Sequence, residues 1–308
     1  MNPAAVFLGL EIGGTKLQIV TGAATGEIHT RRRLTVARAE GAAGIRRQIE
    51  AALPELQAGP VLAGIGVGFG GPVNWQTGRI CVSHHIEGWS DFDLAGWLRA
   101  RLGHPVAVDN DANVAALGEA LRGAGQGSAP VFYVTLGSGV GGGLVTSAGI
   151  YHGATPGEAE LGHVRLDRSG VTVESRCSGW AVDARIRQLS GFGTNSLLAQ
   201  LAREAPGHEA RHLAPALAAG DPAAAQLLRA VAEDLAFGLS HASHLFHPAI
   251  VVLGGGLSQV GEPWRAAVAA ALPRFLMDAF QPGPAIALSA LGEDAVPVGA
   301  LLLAARAR

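Results

Sequence analysis

The placement of glycine is the feature that most constrains how this chain can fold. The 44 glycines among its 308 residues follow no fixed period and cluster around residues 9–14, 64–71, 137–143 and 254–256. Each cluster adjoins a run rich in β-branched residues, and these runs cover residues 6–12, 61–67, 131–136 and 250–253. Such runs are typical of strands, and glycine at the end of a strand lets the backbone approach a ligand closely. The pattern therefore predicts ligand-binding turns at several strand ends.

Apolar residues recur at helical spacing between the predicted strands. They form three sets, which are Ile45, Ile49 and Leu53, then Leu94, Leu98 and Leu102, then Leu228, Val231, Leu235 and Leu239. Strands that alternate with helices predict an α/β fold with mixed or parallel sheets, and they argue against a sandwich or a helical bundle. Because 308 residues exceed the size of most single cores, we expect two domains with a central cleft.

Composition excludes several classes of protein. Hydrophobic residues make up 48% of the chain and charged residues 16%, which indicates a well-filled globular core and not a disordered chain. The formal net charge of −2 gives no sign of a basic surface for nucleic acid, so nucleic acid is not an expected partner.

The sequence also predicts a compartment. The first residues lack a basic leader segment, and apolar runs such as residues 266–272 are too short to span a bilayer, so we expect a cytoplasmic protein without a membrane partner. Cys81 and Cys177 stand far apart, which is typical of a reducing compartment, and we expect both to be buried thiols.

Two segments share a pattern of strand, glycine-rich turn and strand, at residues 8–20 and 133–145. Backbone N–H groups of Gly13, Gly14 and Thr15, and of Gly137, Ser138 and Gly139, can converge on a polyphosphate, although ordinary tight hairpins need the same glycines. Two familiar phosphate motifs do not apply. The G-x-G-x-x-G at 137–142 leads into a strand instead of a helix, and at 15–16 threonine precedes lysine where a P-loop requires the reverse.

A carboxylate stands where a strand passes into a helix. Residues 106–108 read as a strand and residues 112–121 as a helix, so Asp111 lies at a junction where α/β proteins often bind ligands. Aspartate is also a favoured helix N-cap, and the local sequence leaves both interpretations open.

Six motifs in a fixed order resemble the ROK family of repressors, open reading frames and kinases. They are EIGGTK at 11–16, GFGGP at 68–72, DNDAN at 109–113, LGSGVGGG at 136–143, GEAELGH at 157–163 and LGGG at 253–256. The resemblance covers essentially the whole chain. It implies the actin-like ATPase (ribonuclease H-like) fold and an ATP-dependent sugar kinase.

The resemblance also implies residue roles. Asp111 would act as general base toward a sugar hydroxyl. For Asp109 we expect only a structural role. The sugar would contact Asn110, Gly71, His85, Glu160, His163 and Glu174. ATP would bind along Gly13, Gly14, Thr15 and Lys16, along Gly137, Ser138 and Gly139, and along Gly254, Gly255 and Gly256.

The chain departs from the family pattern at two places. The first phosphate motif opens with Glu11 where the family has aspartate, and this acid would hold Mg²⁺ through water. Many members also carry a zinc-binding cysteine cluster before the residue matched by Glu174, whereas residues 167–173 here contain no cysteine. Since a structural zinc needs about four N or S ligands, we predict Mg²⁺ but no zinc.

The sequence therefore predicts a hexose kinase. Glucose is the expected substrate, yielding glucose 6-phosphate. Fructose, mannose, allose, an N-acetylhexosamine and a catalytically weak sugar-sensing protein stay open. We expect an N-terminal domain over 1–115 completed by a helix at 296–308, a C-terminal domain over 116–295 and, by resemblance, a homodimer.

Overall fold

A computed structural model of the chain describes residues 5–58, 62–83, 86–157, 159–191 and 196–307. Contacts group the chain into two compact units. The first contains residues up to Gly127 together with Gly143–Ala159 and the stretch from Glu293 onward. The second contains Ser128–Gly142 and Glu160–Gly292.

The strands in the described ranges belong mainly to two five-stranded sheets. They are β1 (Val6–Ile12), β2 (Lys16–Ala23), β3 (Ile28–Thr35), β4 (Leu62–Phe69), β5 (Val73–Asn74), β6 (Arg79–Ile80), β7 (Val106–Asn110), β8 (Val131–Leu136), β9 (Val140–Thr146), β10 (Gly149–Ile150), β11 (Ile250–Gly254) and β12 (Ala285–Leu288). The α-helices are α1 (Gly41–Ala58), α2 (Leu94–Leu102), α3 (Asp111–Arg122), α4 (Val173–Cys177), α5 (Gly179–Gly191), α6 (Leu197–Glu204), α7 (Leu213–Ala218), α8 (Pro222–Phe246), α9 (Glu262–Ala271) and α10 (Ala295–Ala304).

The two large sheets have the same plan. The first has the order β3-β2-β1-β4-β7, and the second has the order β10-β9-β8-β11-β12. Strand β1 is antiparallel to β2 and parallel to β4, while β11 is parallel to both β8 and β12. The hairpins predicted at 8–20 and 133–145 are confirmed as β1–β2 and β8–β9, which hold equivalent places in the two sheets. Helices cover these mixed sheets, so the predicted α/β class is confirmed.

Helix α10 completes the first unit by packing against β1, β4 and α3. Glycine permits this approach. A methyl group on Gly66 would lie 2.0 Å from the Ala300 carbonyl oxygen, and one on Gly299 would lie 1.8 Å from the Val114 carbonyl oxygen. The glycines of the 64–71 cluster therefore serve two purposes. Those inside the strand make room for a helix, and the expectation of ligand approach applies only beyond the strand end.

Buried apolar side chains fill each unit separately. In the first unit Leu8, Leu10 and Ile65 are at most 1% exposed, as expected for parallel strands covered on both faces. In the second unit α8 packs on α9, and Trp264 is fully buried. Among the described residues, no helix is both long enough and apolar enough to cross a bilayer.

The two cysteines differ in their surroundings. Cys177 is buried, its thiol donates to the Val231 carbonyl oxygen at 3.7 Å, and burial raises the pKa of this thiol. Cys81 is exposed, so the expectation that both thiols are buried is wrong. Cys81 follows the short strand β6, where no long apolar pattern indicates which face is covered.

Candidate active site

Three parallel strands of the first sheet end side by side. The register pairs Glu11 of β1 with Gly68 of β4, and Gly68 with Asp109 of β7. Carboxyl ends of neighbouring parallel strands meet at one edge of the sheet, where α/β folds commonly bind ligands. The predicted residues Gly13, Gly71 and Asp111 lie within two residues of these three ends.

The strand-to-helix junction is capped by Asn110, not by Asp111. The Asn110 Oδ1 atom accepts hydrogen bonds from the backbone N–H groups of Ala112 at 2.9 Å and Asn113 at 3.3 Å. Asp111 is the first residue of α3. The capping interpretation of Asp111 is therefore wrong, because the preceding amide already supplies the cap.

Glycine lines the approach to the Asp111 carboxylate. A methyl group on Gly70 would lie 3.4 Å from the Asp111 Oδ2 atom and 3.6 Å from the Gly13 Cα atom. The Gly70 N–H also donates to the Ile12 carbonyl oxygen at 2.9 Å. The turn after β1, the turn after β4 and the start of α3 are thus in mutual proximity within the first unit.

Asn110 links the start of α3 to the turn after β4. Its Nδ2 atom donates to the Gly71 carbonyl oxygen at 3.3 Å, and the residue is 7% exposed. The cap and this bond orient the amide firmly. An Nδ2 group carries two hydrogens, so the bond to Gly71 still leaves a donor for a ligand hydroxyl.

Glu11 begins a polar row across the first sheet. Its carboxylate lies 3.1 Å from the Lys16 ammonium and accepts a hydrogen bond of 2.6 Å from the Gln18 side chain. The fully buried Gln18 in turn accepts from Arg33 Nε at 3.0 Å. The strand register sets this order, because Glu11 faces Gln18 and Gln18 faces Arg33.

Replacing Gln18 with leucine should lower the free energy of unfolding by about 1–3 kcal/mol, because the Glu11 carboxylate loses its nearest donor. Urea unfolding of the variant and the wild type measures the difference. The matched control is Gln200→Leu, where an exposed glutamine pairs with Glu204. Equal denaturation midpoints for wild type and Gln18→Leu would contradict a stabilising role for the row.

The first glycine-rich turn is closed by its own backbone. The Gly13 N–H donates to the Lys16 carbonyl oxygen at 2.9 Å, and the Thr15 carbonyl oxygen accepts from Val36 at 3.0 Å. The Gly14 carbonyl oxygen accepts from Arg38 Nε at 3.0 Å. Thr15 is exposed and the Lys16 side chain is 36% exposed, so this turn presents its tip to solvent.

The second glycine-rich turn, in the second unit, is held by Glu174. The Glu174 Oε2 atom accepts from the Val140 N–H at 2.9 Å, and a methyl group on Gly139 would lie 2.5 Å from this oxygen. The Gly137 carbonyl oxygen accepts from the Gly179 N–H at 2.7 Å, whereas a methyl group on Gly137 would meet no atom within 4 Å. Hydrogen bonds to Glu174 and Gly179 therefore hold the turn in place, and the space beside Gly137 is open.

The third glycine cluster adjoins this turn through the sheet, because β11 pairs with β8. Gly255 has φ +79°, and a methyl group on it would lie 2.6 Å from the Leu136 backbone. Gly254 packs against the Tyr133 ring, and a methyl group on Gly256 would meet no atom within 4 Å. Gly137 and Gly256 thus provide two open positions beside neighbouring strand ends.

The predicted sugar-contacting pair lies on a short turn of the second unit. Leu161–His163 form a 3₁₀ turn in which the His163 N–H donates to the Glu160 carbonyl oxygen at 3.1 Å. Both Glu160 and His163 are exposed. The intervening Gly162 packs against Val140, since a methyl group there would lie 2.2 Å from the Val140 carbonyl oxygen. The second unit therefore brings Glu160, His163 and Glu174 to the same glycine-rich turn.

Two other points concern the predicted residues. His85, expected to contact the sugar, lies outside the described residues, as does its neighbour His84. Within the described ranges, no group of three or more histidine, cysteine or acidic side chains is arranged to hold a metal ion.

Sequence reasoning missed one contact beside Asp111. His152 Nε2 lies 2.6 Å from Asp109 Oδ2, and Trp75 stacks on the His152 ring at 4.2 Å. These residues are scattered over the sequence and belong to no common motif. The motifs that carry the family resemblance contain neither His152 nor Trp75.

Comparison with known proteins agrees with the motif pattern. A family model described as the ROK family matches residues 7–307. The chain is 30% identical to a glucokinase of Halalkalibacterium halodurans over 308 residues, covering 95% of this chain and 93% of the relative. It is 29% identical to a glucokinase of Thermotoga maritima over 97% of this chain and 96% of the relative.

Solved structures give the same result. A ROK family glucokinase from Streptomyces griseus, in complex with glucose and AMPPNP, superimposes with a TM-score of 0.85 at 30% identity, covering 98% of this chain and 100% of that one. A ROK hexokinase from Thermus thermophilus gives a TM-score of 0.77 at 29% identity, with 97% of each chain covered. The chain has the actin-like ATPase fold of these structures, and it belongs to the ROK family.

Proposed function

We propose that this chain is an ATP-dependent sugar kinase that transfers the γ-phosphoryl group of ATP to the 6-hydroxyl of glucose, with Asp111 as general base. The observation that carries the proposal is the Asp111 carboxylate at the start of α3, beside the Asn110 cap and the side-chain-free Gly70. Glucokinase relatives that span the chain support sugar kinase activity, and the Streptomyces griseus enzyme bound to glucose and AMPPNP supports the substrates.

Asp111 would act on the acceptor hydroxyl. As the hydroxyl oxygen bonds to the γ-phosphorus, the bond from that phosphorus to the bridging oxygen of ADP breaks, and the hydroxyl proton passes to Asp111. Phosphoryl transfer depends on alignment and charge neutralisation more than on covalent chemistry, so one well-placed carboxylate is sufficient as base.

The sugar would be held by Asn110, Glu160, His163 and Glu174. Asn110 has a second Nδ2 hydrogen, and Glu160 and His163 are exposed at a turn whose glycine packs on Val140. The Glu174 carboxylate has capacity beyond the Val140 bond, because an ionised carboxylate accepts several donors. The roles of Gly71 and His85 stay predictions from the sequence.

The nucleotide and its cation fit the residues present. Backbone turns at 13–16 and 137–139 are rich in glycine, and Gly137 and Gly256 face open space that phosphate oxygens can occupy. Glu11 makes one ion pair and one hydrogen bond, so lone pairs remain for a water held by Mg²⁺. Bound Mg²⁺ would neutralise charge on the terminal phosphates.

Other expectations from the sequence stay predictions. They are the homodimer, the cytoplasmic location, the absence of zinc and of nucleic-acid partners, and the domain boundary at 115.

An assay of ADP release with glucose, fructose, mannose, allose and N-acetylglucosamine tests the proposal. Glucose should give the highest kcat/KM, and the product should be glucose 6-phosphate by ³¹P NMR. 6-Deoxyglucose is the matched control, since it lacks only the acceptor hydroxyl and should give no phosphorylated product. A higher kcat/KM on another sugar would overturn the choice of glucose. Binding of sugar without turnover on any of them would favour the sensing protein.

A further inference from the structure

The buried Asp109 and the partly buried His152 form a polar pair that the proposed mechanism does not use. The His152 Nε2 atom lies 2.6 Å from Asp109 Oδ2, and the two side chains are 14% and 4% exposed. Because an ionised carboxylate only accepts, the imidazole N–H donates in this contact. Forty-three residues separate the partners in sequence, yet both belong to the first unit.

The other Asp109 oxygen holds the junction that carries Asp111. Asp109 Oδ1 accepts from the Asn110 N–H at 2.8 Å and from Asn113 Nδ2 at 3.0 Å. These two donors flank Asp111, one on each side. The Asp109 carboxylate therefore joins the junction through Oδ1 to His152 through Oδ2.

The imidazole is itself fixed. The Trp75 ring stacks on it with centroids 4.2 Å apart and an interplanar angle of 12°. The Gly157 carbonyl oxygen accepts from Asn113 Nδ2 at 3.3 Å, so the segment that contains His152 also binds the junction directly. Gly157 has φ +73°, and a methyl group on it would lie 3.0 Å from the His152 Cβ atom, so glycine is required there.

We propose that His152 is a positioning residue for phosphoryl transfer, which acts through Asp109 to hold the Asn110–Asp111 junction in its reactive geometry. The inference rests on the proposed role of Asp111. A buried carboxylate that loses a donor moves or recruits water, and Asn110 and Asn113 move with it. Small misplacement of a catalytic group lowers the rate of the chemical step much more than it weakens ground-state binding.

The test compares His152→Ala and His152→Gln with wild type under saturating ATP. His152→Ala should lower kcat by roughly 10- to 100-fold and change the sugar KM by less than about 3-fold. His152→Gln keeps an N–H donor and should recover a large part of kcat. The control is His29→Ala, an exposed histidine on β3, which should match wild type.

A double-mutant cycle tests the route through Asp109. If His152 acts through that carboxylate, His152→Ala should change kcat by less than about 3-fold in an Asp109→Asn background. Additive losses would overturn the route. Unchanged kcat in His152→Ala, or equal losses in the alanine and glutamine variants at equal thermal stability, would overturn the positioning role. If His152→Ala does not fold, the kcat of His152→Gln and its coupling to Asp109→Asn decide the question.

Failure of this inference can be distinguished from failure of the proposed function. Absence of sugar phosphorylation by wild type would refute the kinase proposal itself. Full activity of an Asp111→Asn variant would refute the role of Asp111 while leaving any measured effect of His152 to be explained differently.

Discussion

Asp111→Asn is expected to lower kcat by a factor of about 10² to 10⁴ while glucose binding stays measurable. Asparagine keeps the size and most hydrogen bonds of aspartate but does not accept the hydroxyl proton. The fold of the junction should persist, because the helix cap is supplied by Asn110 and not by the substituted residue. The loss should therefore lie in the chemical step.

Steady-state kinetics and isothermal titration of glucose measure the two effects. Asp91→Asn is the matched control, since its carboxylate is 86% exposed and pairs only at the surface with Arg79. That variant should retain wild-type kcat. Near-normal turnover by Asp111→Asn would remove Asp111 as the base. Loss of glucose binding together with a lowered melting temperature would indicate a structural role instead.

Gly299→Ala should strongly destabilise the first unit. A methyl group at Gly299 would lie 1.8 Å from the Val114 carbonyl oxygen, so the contact involves backbone of α3 and no rotamer change relieves it. Overpacking of this kind costs typically about 1–3 kcal/mol and occasionally more. Alanine in a helix gains back about 0.5–1 kcal/mol relative to glycine. We expect a net loss near the upper end of the overpacking range.

Thermal unfolding should show this as a decrease in Tm of roughly 5–10 °C. Gly256→Ala is the control for stability, because a methyl group there meets no atom within 4 Å and the residue is exposed. Its Tm should match wild type. If Gly299→Ala unfolds at the wild-type temperature, α10 tolerates a shift away from α3, and the close backbone approach is not a requirement of the fold.

Much of the framework could be predicted from local pattern. The runs at 6–12 and 131–136 coincide with β1 and β8, and the apolar spacing of Leu94, Leu98 and Leu102 matches α2. Such elements depend on residues close in sequence, so periodicity is enough to find them. Cys81 shows where local pattern is no longer informative. It follows a two-residue strand, and its exposure depends on which distant segments cover that strand end.

The glycine clusters combine information from the local sequence with information that only the tertiary structure contains. Their position at strand ends is visible in the sequence, and it led to the turns at 13–16 and 137–139. What each glycine accommodates is not visible. Gly66 makes room for the Ala300 backbone and Gly255 for the Leu136 backbone, whereas Gly137 faces open space. A glycine's role depends on the atoms that surround its missing side chain, and those come from distant segments.

The glycine-rich strand ends and the ordered motifs by themselves determined the α/β class and the family of this protein. Only the tertiary structure decided which side chains pair with one another and which one caps helix α3. It assigned the helix cap to Asn110, paired Glu11 with Gln18, turned Glu174 toward the Val140 N–H, and joined Asp109 to His152 across 43 residues. The physical reason is that secondary structure follows from local periodicity, whereas a side chain finds its hydrogen-bonding partner only when the fold brings remote segments within about 3 Å.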